Sequence, residues 1–119
     1  SNHTQLGWEI VPEGLYNVLM AVHKRYNKPM VVSENGLGTQ SEQKAIRYIR
    51  EHIAQMRRAM NDGADVRGYF PWTLVDNYEW KEGWEGQFGL FSLDPRTKRR
   101  ILEPTGLWFR AFIDRYPEP

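Results

Sequence analysis

No cysteine occurs anywhere in the 119 residues, which excludes a disulfide framework and any thiolate metal site. Excess charge of one sign is lacking as well. Lys and Arg number 16 against 15 Asp and Glu, dispersed along the chain, for a net charge of +1. That balance points away from nucleic acid and from an anionic membrane surface. No apolar run approaches a membrane span and no segment reads as a signal peptide, so a cytoplasmic protein is expected. Metal ligands at useful spacing are missing too. His52 has no second His or carboxylate placed to share an ion, and reads as a packed or capping histidine. No metal or cofactor is expected. Internal repeats and linkers are absent, and the length suits one small domain with a modest core. What the chain does have is aromatic surface, at 13% of residues with five Trp. Tryptophan faces build cores, and exposed ones offer flat apolar surfaces on which a sugar can stack.

The organising stretch is Val31-Val32-Ser33-Glu34-Asn35-Gly36. Met30, Val31 and Val32, bounded by Pro29 and Gly36, read as a short strand buried on both faces, as in parallel sheets. Glu34 closes that strand, and the C-terminal rim of a parallel barrel is where catalytic side chains collect. The plainer reading is a carboxylate that caps the next helix or pairs with an Arg.

Around this stretch the periodicity predicts an α/β alternation. Residues 1–7 read as a polar lead-in. Pro12 opens a helix to residue 26, with Leu15, Val18, Leu19, Val22 and Tyr26 as its apolar stripe, and Asn27-Lys28-Pro29 ends it. A strand over 30–34 follows. Thr39 and Glu42 have capping-box spacing, with Ser41 as a rival N-cap. The helix over 41–61 carries Ile46, Ile49, Ile53, Met56 and Met60 as a core stripe and stops at Asn61-Asp62-Gly63. Residues 66–72 form the next strand, with Pro71 near its end because it cannot donate to a ladder. Residues 73–87 are polar, aromatic and Gly-rich, a loop at a strand end and so a site candidate. Residues 88–93 and 98–102 read as a hairpin around Asp94-Pro95-Arg96-Thr97. Pro104 opens a last helix to 116 whose Leu107, Trp108, Ala111 and Phe112 face inward, and Pro117 stops it.

Two carboxylates thus follow two strands, Glu34 and Glu79. A carboxylate pair flanking a sugar is the minimum equipment for glycoside hydrolysis. Chemistry alone leaves open whether Glu79 is an acid or a group that binds hydroxyls.

Several linked segments then resemble the retaining β-glucosidases and β-galactosidases of glycoside hydrolase family 1. Gly7-Trp8-Glu9-Ile10 with Pro12-Glu13-Gly14-Leu15-Tyr16 is similar to the segment entering the sixth barrel helix. Ser33-Glu34-Asn35-Gly36 is similar to the nucleophile motif at the end of the seventh strand. Gly68-Tyr69-Phe70-Pro71-Trp72 resembles the eighth strand, and Asp76-Asn77-Tyr78-Glu79-Trp80 the sugar-binding loop after it. Phe88-Gly89-Leu90 and Leu107-Trp108-Phe109 also fit. The resemblance implies one incomplete domain over residues 1–119: the C-terminal portion, the last two βα units plus the preceding helix, of a (β/α)8 TIM barrel.

It further implies that Glu34 is the nucleophile and that Trp72 is the platform under the sugar, with a cis Trp72–Thr73 peptide turning the indole towards it. Glu79 would bind the glycone 4- and 6-hydroxyls, Trp80 would donate to the 3-hydroxyl, and Phe88 would line the pocket at the 6-position. Asn35 and Asp76 would serve as scaffold, and Trp8, Trp84 and Trp108 would pack or line a rim. The 6-phospho branch lacks the acid at Glu79, so a neutral β-glycoside is implied. The short loop after Gly36 leaves the aglycone side open.

No Asn-Glu-Pro occurs, so the family's acid/base motif is absent, along with the earlier strands that grip the glycone. A piece of a longer enzyme, half of a split enzyme or a truncated product would each fit. A complementary N-terminal barrel fragment or self-association is therefore expected as partner. The alternative is a non-catalytic carbohydrate-binding or structural fragment, against which Glu34 speaks, since a pure binder needs no carboxylate at the strand end.

Overall fold

The computed structural model describes residues 3–4 and 7–116. The expected lead-in falls partly outside them (Ser1, Asn2, Gln5 and Leu6), and so does the expected stop at Pro117. The described elements run in the order α1 (Glu13–Tyr26), β1 (Met30–Asn35), α2 (Glu42–Asn61), β2 (Val66–Pro71), β3 (Phe91–Leu93), β4 (Arg100–Leu102) and α3 (Pro104–Arg115). Each expected helix and strand is present, with ends moved by a residue or a few. Asn27 terminates α1 in the left-handed region (φ 45°), its N–H donating to the His23 carbonyl at 2.8 Å. Pro71 is the last residue of β2, which leaves Trp72 just past the strand.

β1 and β2 pair in parallel, joined by α2, so their C-terminal ends lie on the same side. The register is irregular. Val32 faces Tyr69 and Asn35 faces Pro71, so β1 takes one residue more than β2 over that interval. The core gathers where this pair meets α1 and α2: Leu19, Val32, Ala59, Ala64 and Val66, with Leu15, Met20, Met56 and Tyr69 packed against them.

Three expectations about burial need correction. β1 is covered on one face only, with Val32 buried but Val31 53% exposed. The α1 stripe buries Leu19 alone, while Val18 and Tyr26 remain exposed. In α3 it is Thr105 and Gly106 that are buried, and Leu107 and Ala111 are exposed. The cause is common to all three. Periodicity marks the faces that are apolar, whereas burial requires a neighbour, and two strands with three helices cannot cover every face.

The expected capping box also resolves differently. Ser41 is the N-cap of α2, accepting from the Lys44 N–H at 3.4 Å, while Thr39 Oγ1 accepts from the Ser41 N–H. Glu42 is thereby free to reach the other end of the chain. Its Oε2 accepts from Thr105 N–H at 2.8 Å and Thr105 Oγ1 at 2.6 Å. A carboxylate on α2 thus satisfies one of the open donors in the first turn of α3, where negative charge is favourable. The β3–β4 hairpin is antiparallel and turns as expected at Asp94, whose Oδ1 accepts from the Arg96 and Thr97 N–H groups. Gly106 lets α3 lie against this hairpin, since a Cβ there would come 2.5 Å from the Leu90 carbonyl oxygen.

Candidate active site

The ends of β1 and β2 meet at one rim. The Trp72 N–H donates to the Asn35 carbonyl at 3.0 Å, which seats the residue after β2 beside the residue after Glu34. Gly36 makes that approach possible, because a Cβ at this position would run into the Trp72 carbonyl. Glu34 is exposed, and among the described residues no hydrogen bond or ion pair engages its carboxylate. It therefore neither caps α2, where Ser41 does so, nor pairs with an Arg. The Trp72–Thr73 peptide is cis.

The loop after β2 folds back over this rim. Trp72 Nε1 donates to Glu79 Oε1 at 3.2 Å, so indole and carboxylate are in direct contact. Phe88 lies between two glycines. A Cβ on Gly38 would come within 2.8 Å of its ring and one on Gly86 within 3.0 Å, and the latter would also meet the Glu79 side chain. The Thr39 N–H donates to the Gln87 carbonyl at 2.9 Å, and the Thr73 N–H to that of Phe88 at 3.0 Å. Asp76 holds the loop from within, its Oδ1 accepting from the Gly89 N–H at 2.7 Å. Burial pushes the Asp76 carboxyl above the usual range, against the pull of its backbone N–H donors, and the nearby Glu103 and Glu42 carboxylates add to the rise.

Trp72, Glu79 and Phe88 are thus brought together, and Glu34 stands at the same rim through the Asn35–Trp72 bond. Trp80 is not drawn in. It sits in the short 3-10 turn Trp80–Glu82 with φ 44° and is 88% exposed. Trp84 meets Tyr78 edge-on at 5.9 Å, Trp108 stacks with Phe112 at 5.7 Å, and Trp8 is exposed. A cavity of about 220 Å³ lies between the two loops, reached by Gly36, Trp72, Asp76, Phe88 and Thr105, and neither Glu34 nor Glu79 lines it. Glu34 is exposed outside this cavity, and Glu79 is half-buried against the Trp72 indole.

The side-chain partners of the scaffold residue Asn35 went unmarked by the sequence. The half-buried Asn35 amide is bonded at both ends: Tyr69 Oη donates to its Oδ1 at 2.6 Å, and its Nδ2 donates to Tyr48 Oη at 3.3 Å. Burial pushes both phenols up, Tyr69 the more strongly. Tyr48 in turn stacks on His52 at 3.8 Å, and His52 Nδ1 lies 2.8 Å from the Tyr48 carbonyl oxygen. Burial lowers the His52 pKa. The partners of Asn35 are 34 and 13 residues away, on β2 and α2, and no local spacing announces them.

Comparison with known proteins gives this rim a context. The chain is 45% identical over 107 residues to a β-galactosidase of Sulfolobus acidocaldarius, covering 90% of this chain and 22% of that one. It is 42% identical over 120 residues to a 1,4-β-D-glucan glucohydrolase of Thermotoga neapolitana, covering 92% and 27%. Among solved structures, the β-glucosidase from Thermotoga maritima in complex with glucoimidazole superposes with a TM-score of 0.89 at 38% identity, over 94% of this chain and 28% of that one. The chain therefore spans about a quarter of the length of the relatives it matches. These structural neighbours are TIM-barrel β-glucosidases, and the described fold corresponds to part of that barrel. The family model of glycosyl hydrolase family 1 matches residues 1–117. With that match covering nearly the whole sequence, the chain belongs to glycosyl hydrolase family 1.

Proposed function

We propose that this chain is the C-terminal portion of a retaining β-glycosidase that hydrolyses neutral β-linked sugars in the cytoplasm. It contributes the nucleophile and part of the glycone subsite. The observation that carries this reading is the shared rim, where Glu34, whose carboxylate has no partner among the described residues, precedes the residue that is backbone-bonded to Trp72, and the Trp72 indole is bonded to a second carboxylate, Glu79. In this reading Glu34 attacks the anomeric carbon to form a glycosyl-enzyme, which water then releases. Trp72 lies under the sugar, Glu79 accepts from glycone hydroxyls, and Phe88 bounds the pocket. Trp80 donates its indole N–H to a hydroxyl once the sugar has docked. That the Thermotoga maritima relative binds glucoimidazole supports a glycoside as substrate.

The reaction also needs a second carboxyl group about 5–5.5 Å from the nucleophile to protonate the leaving oxygen. Glu79, bound to the platform indole, is engaged on the glycone side. Turnover therefore requires the rest of the barrel, and the complementary N-terminal fragment is the partner. To test this, the chain is joined to the first three quarters of the Thermotoga maritima β-glucosidase and assayed on an aryl β-glucoside. The joined enzyme is expected to turn over, the chain alone is not, and Glu34→Gln is expected to lower the rate by roughly a thousandfold or more, the scale of a lost nucleophile. Retained activity in Glu34→Gln would remove the assignment. Sugar binding without turnover by the joined enzyme would favour a purely binding role.

A further inference from the structure

Along β1, the residues from Val32 to Asn35 read buried, exposed, exposed, half-buried. In a regular strand Glu34 would share the face of Val32, because side chains alternate with period 2. Val32 packs into the core, so regular alternation would direct Glu34 inward as well. The additional β1 residue between Val32 and Asn35 breaks the alternation and leaves Ser33 and Glu34 both accessible. Bulges of this kind re-aim side chains, and here the residue on either side of the pair is held in place.

The buried Val32 is one anchor. Asn35 is the other, and it is held from three directions: by the Tyr69 hydroxyl on β2, the Tyr48 hydroxyl on α2, and the Trp72 N–H on its own carbonyl. Its amide acts as acceptor towards one phenol and donor towards the other, a combination that an Asp or a Leu cannot reproduce. We propose that Asn35, clamped between Tyr69 and Tyr48, is a positioning residue that closes the bulge and fixes the direction of the Glu34 carboxylate. This inference rests on the reading of Glu34 as the nucleophile.

The test uses the joined enzyme described above, with Asn35→Leu and Tyr69→Phe measured beside Glu34→Gln. Active sites are counted from the burst of released aryl alcohol, so that a merely less stable protein is not mistaken for a slower one. The expected result is a loss of fivefold or more in kcat per active site for each positioning variant, with KM within twofold of the parent. A smaller loss, or one that tracks the number of active sites, overturns the proposal. Should Asn35→Leu fail to fold by circular dichroism, Tyr69→Phe, which removes a single oxygen, decides on the same criterion. If Glu34→Gln itself stays active, the nucleophile reading fails and this inference fails with it. If Glu34→Gln is dead while Tyr69→Phe is unchanged, only the positioning role is lost.

Discussion

At the scale of single residues, two positions tie sequence to geometry closely enough to predict what a change would do. Gly36 has no room for a side chain, since its Cβ would meet the Trp72 carbonyl. Gly36→Ala must push the ends of β1 and β2 apart, and overpacking of this kind costs about 1–3 kcal/mol. Urea denaturation at fixed protein concentration should show the midpoint fall accordingly. Glu42 was legible as a helix-start residue, but its role is remote: it accepts from the Thr105 N–H and hydroxyl at the start of α3. Glu42→Ala leaves that N–H without its partner, for a loss of about 1–3 kcal/mol. Glu42→Gln keeps one acceptor oxygen and should lose less. Thermal melts of the two variants check the order. The contrast with Glu34 is informative, because both are acids close to helix α2, yet one is consumed by structure and the other has no partner among the described residues.

At the scale of elements, what the sequence made legible were those whose signals are local. Pro12 and Asn27 bracket α1, Ser41 and Gly63 bracket α2, and Asp94 to Thr97 turn the hairpin. What it concealed were contacts between elements distant in the chain, such as Tyr69 with Asn35 and Phe88 with Gly38. Burial of the apolar stripes was overestimated for the reason seen at Val31, where the face is apolar but unopposed. The rim itself was legible because Glu34 and Trp72 each lie within one residue of a strand's end, whereas the 3-10 turn that exposes Trp80 has no periodic signature. Helix α2 also carries a pH dependence. His52 is buried against Tyr48, and burial lowers its pKa, outweighing the bond to the Tyr48 carbonyl and the Glu51 and Glu13 charges that raise it. The unfolded chain therefore takes up the proton more readily than the folded one. Stability from this group is fully present above the ordinary His pKa of about 6.5 and is lost as pH falls through the lowered folded value. Urea midpoints should decline from pH 7.5 towards pH 5, and His52→Phe should flatten that decline.

At the scale of the whole molecule, the apolar faces left open dominate its behaviour. Phe70 is 59% exposed, and a groove between α2, β2 and α3 is lined by Met60, Phe70, Phe109, Phe112, Ile113 and Tyr116. Among the described residues, both strands of the parallel pair also present one unpaired edge. Such surfaces seek cover. In sedimentation, this chain alone should sediment heavier than a monomer as concentration rises, and Phe70→Lys should weaken that association. A sharp monomer at all concentrations would show that these faces are self-sufficient. The pairing of the two rim loops has a separate consequence. The loop after β1 and the loop after β2 are fastened through Thr39 to Gln87 and through Gly38 to Phe88. They are not independently exchangeable parts. A change of length in the first loop shifts the cavity wall formed by the second, so the two loops are expected to transplant as one cassette rather than singly.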